Sequence, residues 1–182
     1  LMFRGTRAVE NFDLPVQMAS GDNNAFTNND YTDFYITLPK DNLETALWLE
    51  SDRMEGLDIT PAKLEAEKKV VIEEFRQRYL NQPYGDQTML LRALAYKVHP
   101  YRWAAIGLAT DHIAGATLAD VESFYRAHYR PSNVILSISA DMEEEWMLEL
   151  AEKWFAPLAD HPSETAAIPQ EPVQLSLIHI SE

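Results

Sequence analysis

Apolar and polar positions alternate along the stretch YTDFYITL, where Thr32, Phe34, Ile36 and Leu38 interleave with Tyr31, Asp33, Tyr35 and Thr37. A period of two predicts a strand with one apolar and one mixed face. The preceding SGDNNAFT reads as its hairpin partner. Asn28, Asn29 and Asp30 supply the turn, because Asn and Asp tolerate left-handed backbone. The spacing then becomes helical. Over 40–56, Leu43, Leu47 and Met54 align beside Ala46 and Leu49, and Gly56 marks the stop. A second helix opens with Thr60 as N-cap and Pro61 at the first helical position, and it ends at Asn81-Gln82-Pro83. Residues 86–97 predict another helix, followed by the loop HPYRWAAIG. Thr117 caps TLADVESFYRAHY, whose Val121, Phe124 and Tyr125 are expected to face inward. RPSNVILSISAD, rich in β-branched residues, predicts a buried strand, and MEEEWMLELAEKWF a last helix with an acidic first turn. Trp146, Trp154 and Phe155 on that helix are expected to pack in a core or an interface.

A hairpin, then helices, then a strand and a helix imply an α+β fold, a mostly antiparallel sheet with helices packed on one face. Residues 1–158 are expected to form one domain, and the Pro-rich, acidic stretch 159–174 a linker toward a second domain. The final LSLIHISE (175–182) continues no earlier pattern and resembles the translation of a sequencing-library adapter, so a non-native tail is expected there. With Leu1 at the start and no signal-peptide pattern, the sequence reads as a fragment of a longer protein.

Composition narrows the chemistry. A formal net charge of −14 argues against nucleic-acid binding, which relies on Lys and Arg clusters, and favours cationic partners or peptides. No run approaches the roughly 20 apolar residues of a membrane span. With no cysteine in the chain, any metal site must use His and carboxylates. His99, His112, His128, His161 and His179 show no ligand spacing; His99 reads as a loop residue and His128 as structural. An acidic, cysteine-free chain suits a bacterial cytoplasm or periplasm.

The stretch AEKKVVIEEFRQR carries Glu67 and Glu74 seven residues apart, close to two helical turns, so both carboxylates lie on one face. Solvated charges are one reading. Lys63 and Arg78 stand four residues from Glu67 and Glu74, and such pairs contribute only about 0.2–0.5 kcal/mol each. The other reading is a metal or catalytic site. The two glutamates share a row with Leu64 and Val71, where a buried carboxylate must be paired, hydrogen-bonded or metal-bound. Glu73 lies on another face.

Four segments decide between these readings: LMFRGT, NNAFTNNDYTDFY, EAEKKVVIEEF and YRAHYRPSNVILSISAD, in this order. Together they resemble the insulinase/pitrilysin family of zinc metallopeptidases, the inverted-motif zincins, over residues 1–158. The resemblance implies a metallopeptidase half-domain and a Zn2+ held by two His of an H-x-x-E-H helix and by a downstream Glu. It matches Glu74 to that ligand and Glu67 to the accompanying Glu that supports the site. It matches Asn24 and Ala25 to the strand that receives the substrate beside the cleaved bond, with Phe26 and Thr27 continuing the edge. The implied reaction is attack of a zinc-activated water on a peptide carbonyl, with the motif Glu as base. H-x-x-E-H itself is absent, and by the family's order its second His would stand just before Leu1. The chain as given is therefore expected to be inactive. The family also implies a partner, a homologous second domain in cis or trans that completes a peptide-holding chamber. The alternatives are a non-catalytic homologous domain of that chamber, or an unrelated acidic interaction module.

Overall fold

The structure, a computed structural model, describes residues 1–6, 8–160 and 167–173. The chain divides into two units, residues 1–68 with 116–163, and residues 69–115 with 164–182.

In the first unit a short helix α1 (Asp13–Met18) leads into strands β1 (Asp22–Thr27) and β2 (Thr32–Thr37). They pair antiparallel with Asp22 opposite Thr37 and Thr27 opposite Thr32. The predicted turn forms as the residue types require: the Asn28 side chain accepts from the Asp30 and Tyr31 amides at 2.8 and 3.0 Å. Helix α2 (Leu43–Glu55) follows and stops at Gly56, and α3 (Pro61–Phe75) starts under Thr60, whose hydroxyl accepts from the Lys63 amide at 3.2 Å. Helix α6 (Leu118–His128) carries the full reciprocal cap between Thr117 and Asp120, and α7 (Glu144–Phe155) packs on α2. Val9, Phe12, Val16 and Leu49 form the core, with Phe3, Ile36 and Trp48 against it. Burying each large apolar side chain contributes about 1.5–3 kcal/mol.

One charge sits in this core. Arg53 is 2% exposed, its guanidinium 4.4 Å from the Phe12 ring centroid, 4.2 Å from Phe34 and 5.5 Å from Phe3. It pairs with Glu50, while its Nη1 has no hydrogen-bond partner among the described residues. Three ring faces and one carboxylate thus offset the cost of desolvating the cation.

In the second unit the chain leaves α3 through a wider π turn (Arg76–Leu80), with the Asn81 amide on the Arg76 carbonyl at 2.8 Å. Helix α4 (Gln87–Ala95), a 3-10 turn (Pro100–Arg102) and α5 (Thr110–Gly115) complete it. Leu90, Leu91 and Leu94 of α4 are more than half exposed.

Three expectations need correction. Residues 134–140 form no strand and are not buried: Val134 and Leu136 are each 41% exposed and Ile135 94%. The sheet among the described residues has two strands, so this segment has no ladder to join. Phe124 does not face inward; it is 60% exposed and lies on His128, ring centroids 4.3 Å apart. The neighbouring Tyr125 takes the inward position, its hydroxyl donating to the Arg53 and Met54 carbonyls at 2.6 and 2.9 Å. One residue is about 100° of helix, so both cannot face the same way. Trp146 is likewise half exposed and stands outside the core.

Candidate functional site

The predicted peptide edge is β1. Asn24 pairs with Tyr35, Ala25 with Phe34, Phe26 with Asp33 and Thr27 with Thr32, and β2 is the sole strand neighbour among the described residues. The Ala25 amide donates at 2.8 Å to the side-chain oxygen of Asn24, so it does not serve the β1–β2 ladder. Phe26 is 48% exposed and stacks edge-on against Tyr31 across the hairpin mouth. Asn24 and Thr27 are exposed and Ala25 half-buried. The edge therefore presents small and polar side chains around an amide held by a single side-chain oxygen that can rotate away. Such an edge can add an extended peptide through main-chain hydrogen bonds.

Glu67, on the first unit's part of α3, accepts from Arg4 Nε at 2.7 Å and lies 3.6 Å from the Leu1 amino group. Burial alone would raise its pKa. The Arg4 hydrogen bond and the positive Leu1 and Arg4 groups outweigh burial and hold the carboxyl below its ordinary range. Lys63, its expected helical neighbour, pairs with Asp58 instead. Arg4 belongs to the FRGT stretch, and two more of its residues are fixed by first-unit helices. Thr6 donates its hydroxyl to Asp52, and the Phe3 ring lies by the Arg53 cation. Gly5 adopts φ +95°, and a Cβ there would stand 2.4 Å from the Glu10 carbonyl oxygen, so this corner requires glycine.

Glu74 belongs to the second unit's part of α3. Its side chain is 42% exposed and pairs with Arg78 at 2.8 Å, as the four-residue spacing predicts. Glu73 is 53% exposed, 3.8 Å from Arg76 and 3.4 Å from the Gln77 amide. No group of three or more His, Asp or Glu among the described residues could hold a metal ion. One half-exposed carboxylate in an ion pair does not fit a zinc site, whose affinity needs several preorganised ligands.

A cleft of about 1060 Å³ opens in the first unit, lined by Trp48, Met54, Ile59, Tyr125, Trp154 and Leu158 among others, and by none of the predicted site residues. Four of its charged lining residues are in ion pairs: Asp58 with Lys63, Lys153 with Glu44, and Arg126 with Glu122. Burial, with nearby Asp52 adding to it, pushes the Tyr125 hydroxyl there up to about 12.

The family profile described as "Insulinase (Peptidase family M16)" matches residues 1–104, more than half of the chain. The chain belongs to the insulinase family. A second profile of the same family, "Peptidase M16 inactive domain", matches residues 115–180. Among curated relatives, the zinc protease PqqE of Helicobacter pylori is 32% identical over 178 residues, covering 96% of this chain and 40% of that protein. The beta subunit of the mitochondrial-processing peptidase of Caenorhabditis elegans is 23% identical, covering 93% and 37%. The crystal structure of a protease from Helicobacter pylori superposes with a TM-score of 0.84 at 32% identity, over 94% of this chain and 41% of that one. The first half of the periplasmic protease PqqL from Escherichia coli shares the fold at TM-score 0.78 and 22% identity, over 92% and 38%. This insulinase-family chain thus spans about two fifths of the length of these relatives. The α+β half-domain read from the sequence is the fold these neighbours share.

Sequence reasoning missed two residues of this region. Arg4 stood inside a quoted motif with no role, although it is the partner of Glu67. Arg53 lay in a helix whose apolar spacing placed it nowhere in particular. Its burial depends on three rings distant in the chain.

Proposed function

We propose that this chain is part of a zinc-dependent metalloendopeptidase that hydrolyses peptide bonds of extended peptides. The observation that carries the reading is the β1 edge, where the Ala25 amide turns from β2 and rests on Asn24. Family membership supports it. Asn24, Ala25, Phe26 and Thr27 receive the peptide as an added strand, with Asn24 swinging aside to release the amide. Glu67 holds the FRGT segment through Arg4, a positioning role in the longer protein. Glu74 supplies the carboxylate ligand there once it leaves Arg78. Zn2+ is the cofactor of that longer protein, and tight retention by this chain alone is not expected. A homologous second peptidase domain, in cis or trans, completes the chamber. A bacterial periplasm or cytoplasm is the compartment this reading assigns; the expected linker 159–174 lies partly, and the expected tail 175–182 wholly, outside the described residues.

A second reading has its own support: the inactive-domain profile over residues 115–180 favours a non-catalytic chamber domain. Zinc content of the proposed longer protein tests the first reading; calorimetric zinc titration of the 182-residue chain, with a peptide-hydrolysis assay beside it, tests the expectation that this chain alone is inactive. The expected result is no stoichiometric tight binding and no cleavage. One equivalent bound tightly would overturn it.

A further inference from the structure

Within the second unit, the segment 167–173 meets the loop after α4 through the side chain of Glu171. Glu171 accepts three consecutive backbone amides: Lys97 on Oε1 at 2.6 Å, Val98 on Oε2 at 3.0 Å and His99 on Oε2 at 2.9 Å. None of the three amides belongs to a helix, because α4 ends at Ala95 and the 3-10 turn begins at Pro100. Three successive N–H groups converging on one point form a concave anion receptor. Hydrogen bonds from neutral donors to a carboxylate are roughly twice as strong as neutral pairs.

The receptor is held in shape without Glu171. Arg102 donates Nη1 to the Lys97 carbonyl at 2.9 Å, the Tyr101 amide donates to His99 Nδ1 at 3.2 Å, and the His99 ring lies 4.3 Å from the Tyr101 ring. Tyr96 closes the cluster, 5.6 Å from Tyr101. A turn fixed by these contacts keeps its amides aimed outward whether or not a carboxylate is there.

We propose that the amides of Lys97, Val98 and His99 form a carboxylate-binding site, which this chain fills with its own Glu171 and which takes a peptide carboxylate when Glu171 is removed. Glu171 then acts as a clasp that ties residues 167–173 to this loop. An outside carboxylate must compete against a tethered one, whose effective concentration is set by the intervening chain. The inference stands apart from the peptidase reading, since it needs neither zinc nor β1.

Amide NMR on the 182-residue chain, as wild type and as Glu171→Ala, tests it with sodium acetate as the probe. Expected are upfield moves of the Lys97, Val98 and His99 amide protons in Glu171→Ala, with other amides unchanged. Acetate should then restore them saturably, while the wild type needs at least about tenfold more acetate for the same shift. A short peptide with a free C-terminal carboxylate should act like acetate, and its amidated form should not. Glu171→Gln, which keeps an acceptor oxygen without the charge, should fall between. The inference is overturned if the three amides are the same in Glu171→Ala and wild type. It is also overturned if sodium chloride at equal ionic strength reproduces the acetate response.

Discussion

Two segments of the first unit carry the β pattern in their sequence, and only one of them makes a sheet. In the hairpin every residue of 22–27 faces a partner in 32–37, and Phe34 and Ile36 turn onto the Arg53 cation and the core. Residues 134–140 are no less β-branched, yet they pair with no strand among the described residues and leave Ile135 almost fully in solvent. The difference is where the partner comes from. A four-residue turn with Asn28 at its head brings β2 to β1 locally, at small loop-closure cost. Residues 134–140 have no neighbour within turn distance, so a ladder there needs a strand from far along a chain. Strand propensity measures fit to a pleated surface; it does not supply the surface.

The comparison breaks most easily at Arg53, which ties the paired hairpin to the core. Arg53→Ala removes the cation between three rings and leaves Glu50 unpaired, at an expected cost of about 3–5 kcal/mol in urea unfolding. Arg53→Met keeps the volume and should cost far less, because apolar replacements of buried ions are often near neutral. Hydrogen exchange sharpens the contrast next: amides in the β1–β2 ladder should exchange at least about a hundredfold more slowly than those of 135–140. Equal rates would remove the distinction. Truncation gives a smaller difference. Ile36→Ala should cost about 1–2 kcal/mol, since the side chain is half-buried, and Ile135→Ala less than about 0.5 kcal/mol. The smallest effect is a pH dependence. Glu67 is held below the ordinary carboxyl range, so its bond to Arg4 stabilises the fold above the unfolded pKa of about 4.3. That stability is lost as pH falls through the lower folded value. Glu67→Gln should flatten the stability profile in that window by a few tenths to about 1 kcal/mol.

What could be read in the sequence follows the same division. The Asn28 turn, the Thr60 and Thr117 caps, the Gly56 stop and the Glu74–Arg78 pair all rest on residues within four positions, and each forms as read. The pairing of Glu67 with Arg4 spans 63 residues, and the grip of Glu171 on residues 97–99 more than 70; no periodicity announces either. Phe124 and Tyr125 compete for one inward position, and the hydroxyl that finds two carbonyls takes it. The family was legible because four short motifs kept their order. The roles of Asn24–Thr27, Glu67 and Glu74 are proposals that ride on that order.

Zinc content is the most direct test of those proposed roles, measured on the proposed longer peptidase in which H-x-x-E-H would stand ahead of Leu1. Glu74→Gln should strip the metal on dialysis, while Glu73→Gln, on the neighbouring face, should retain it at wild-type stoichiometry. Full zinc retention in Glu74→Gln, or loss in Glu73→Gln alone, would contradict the account.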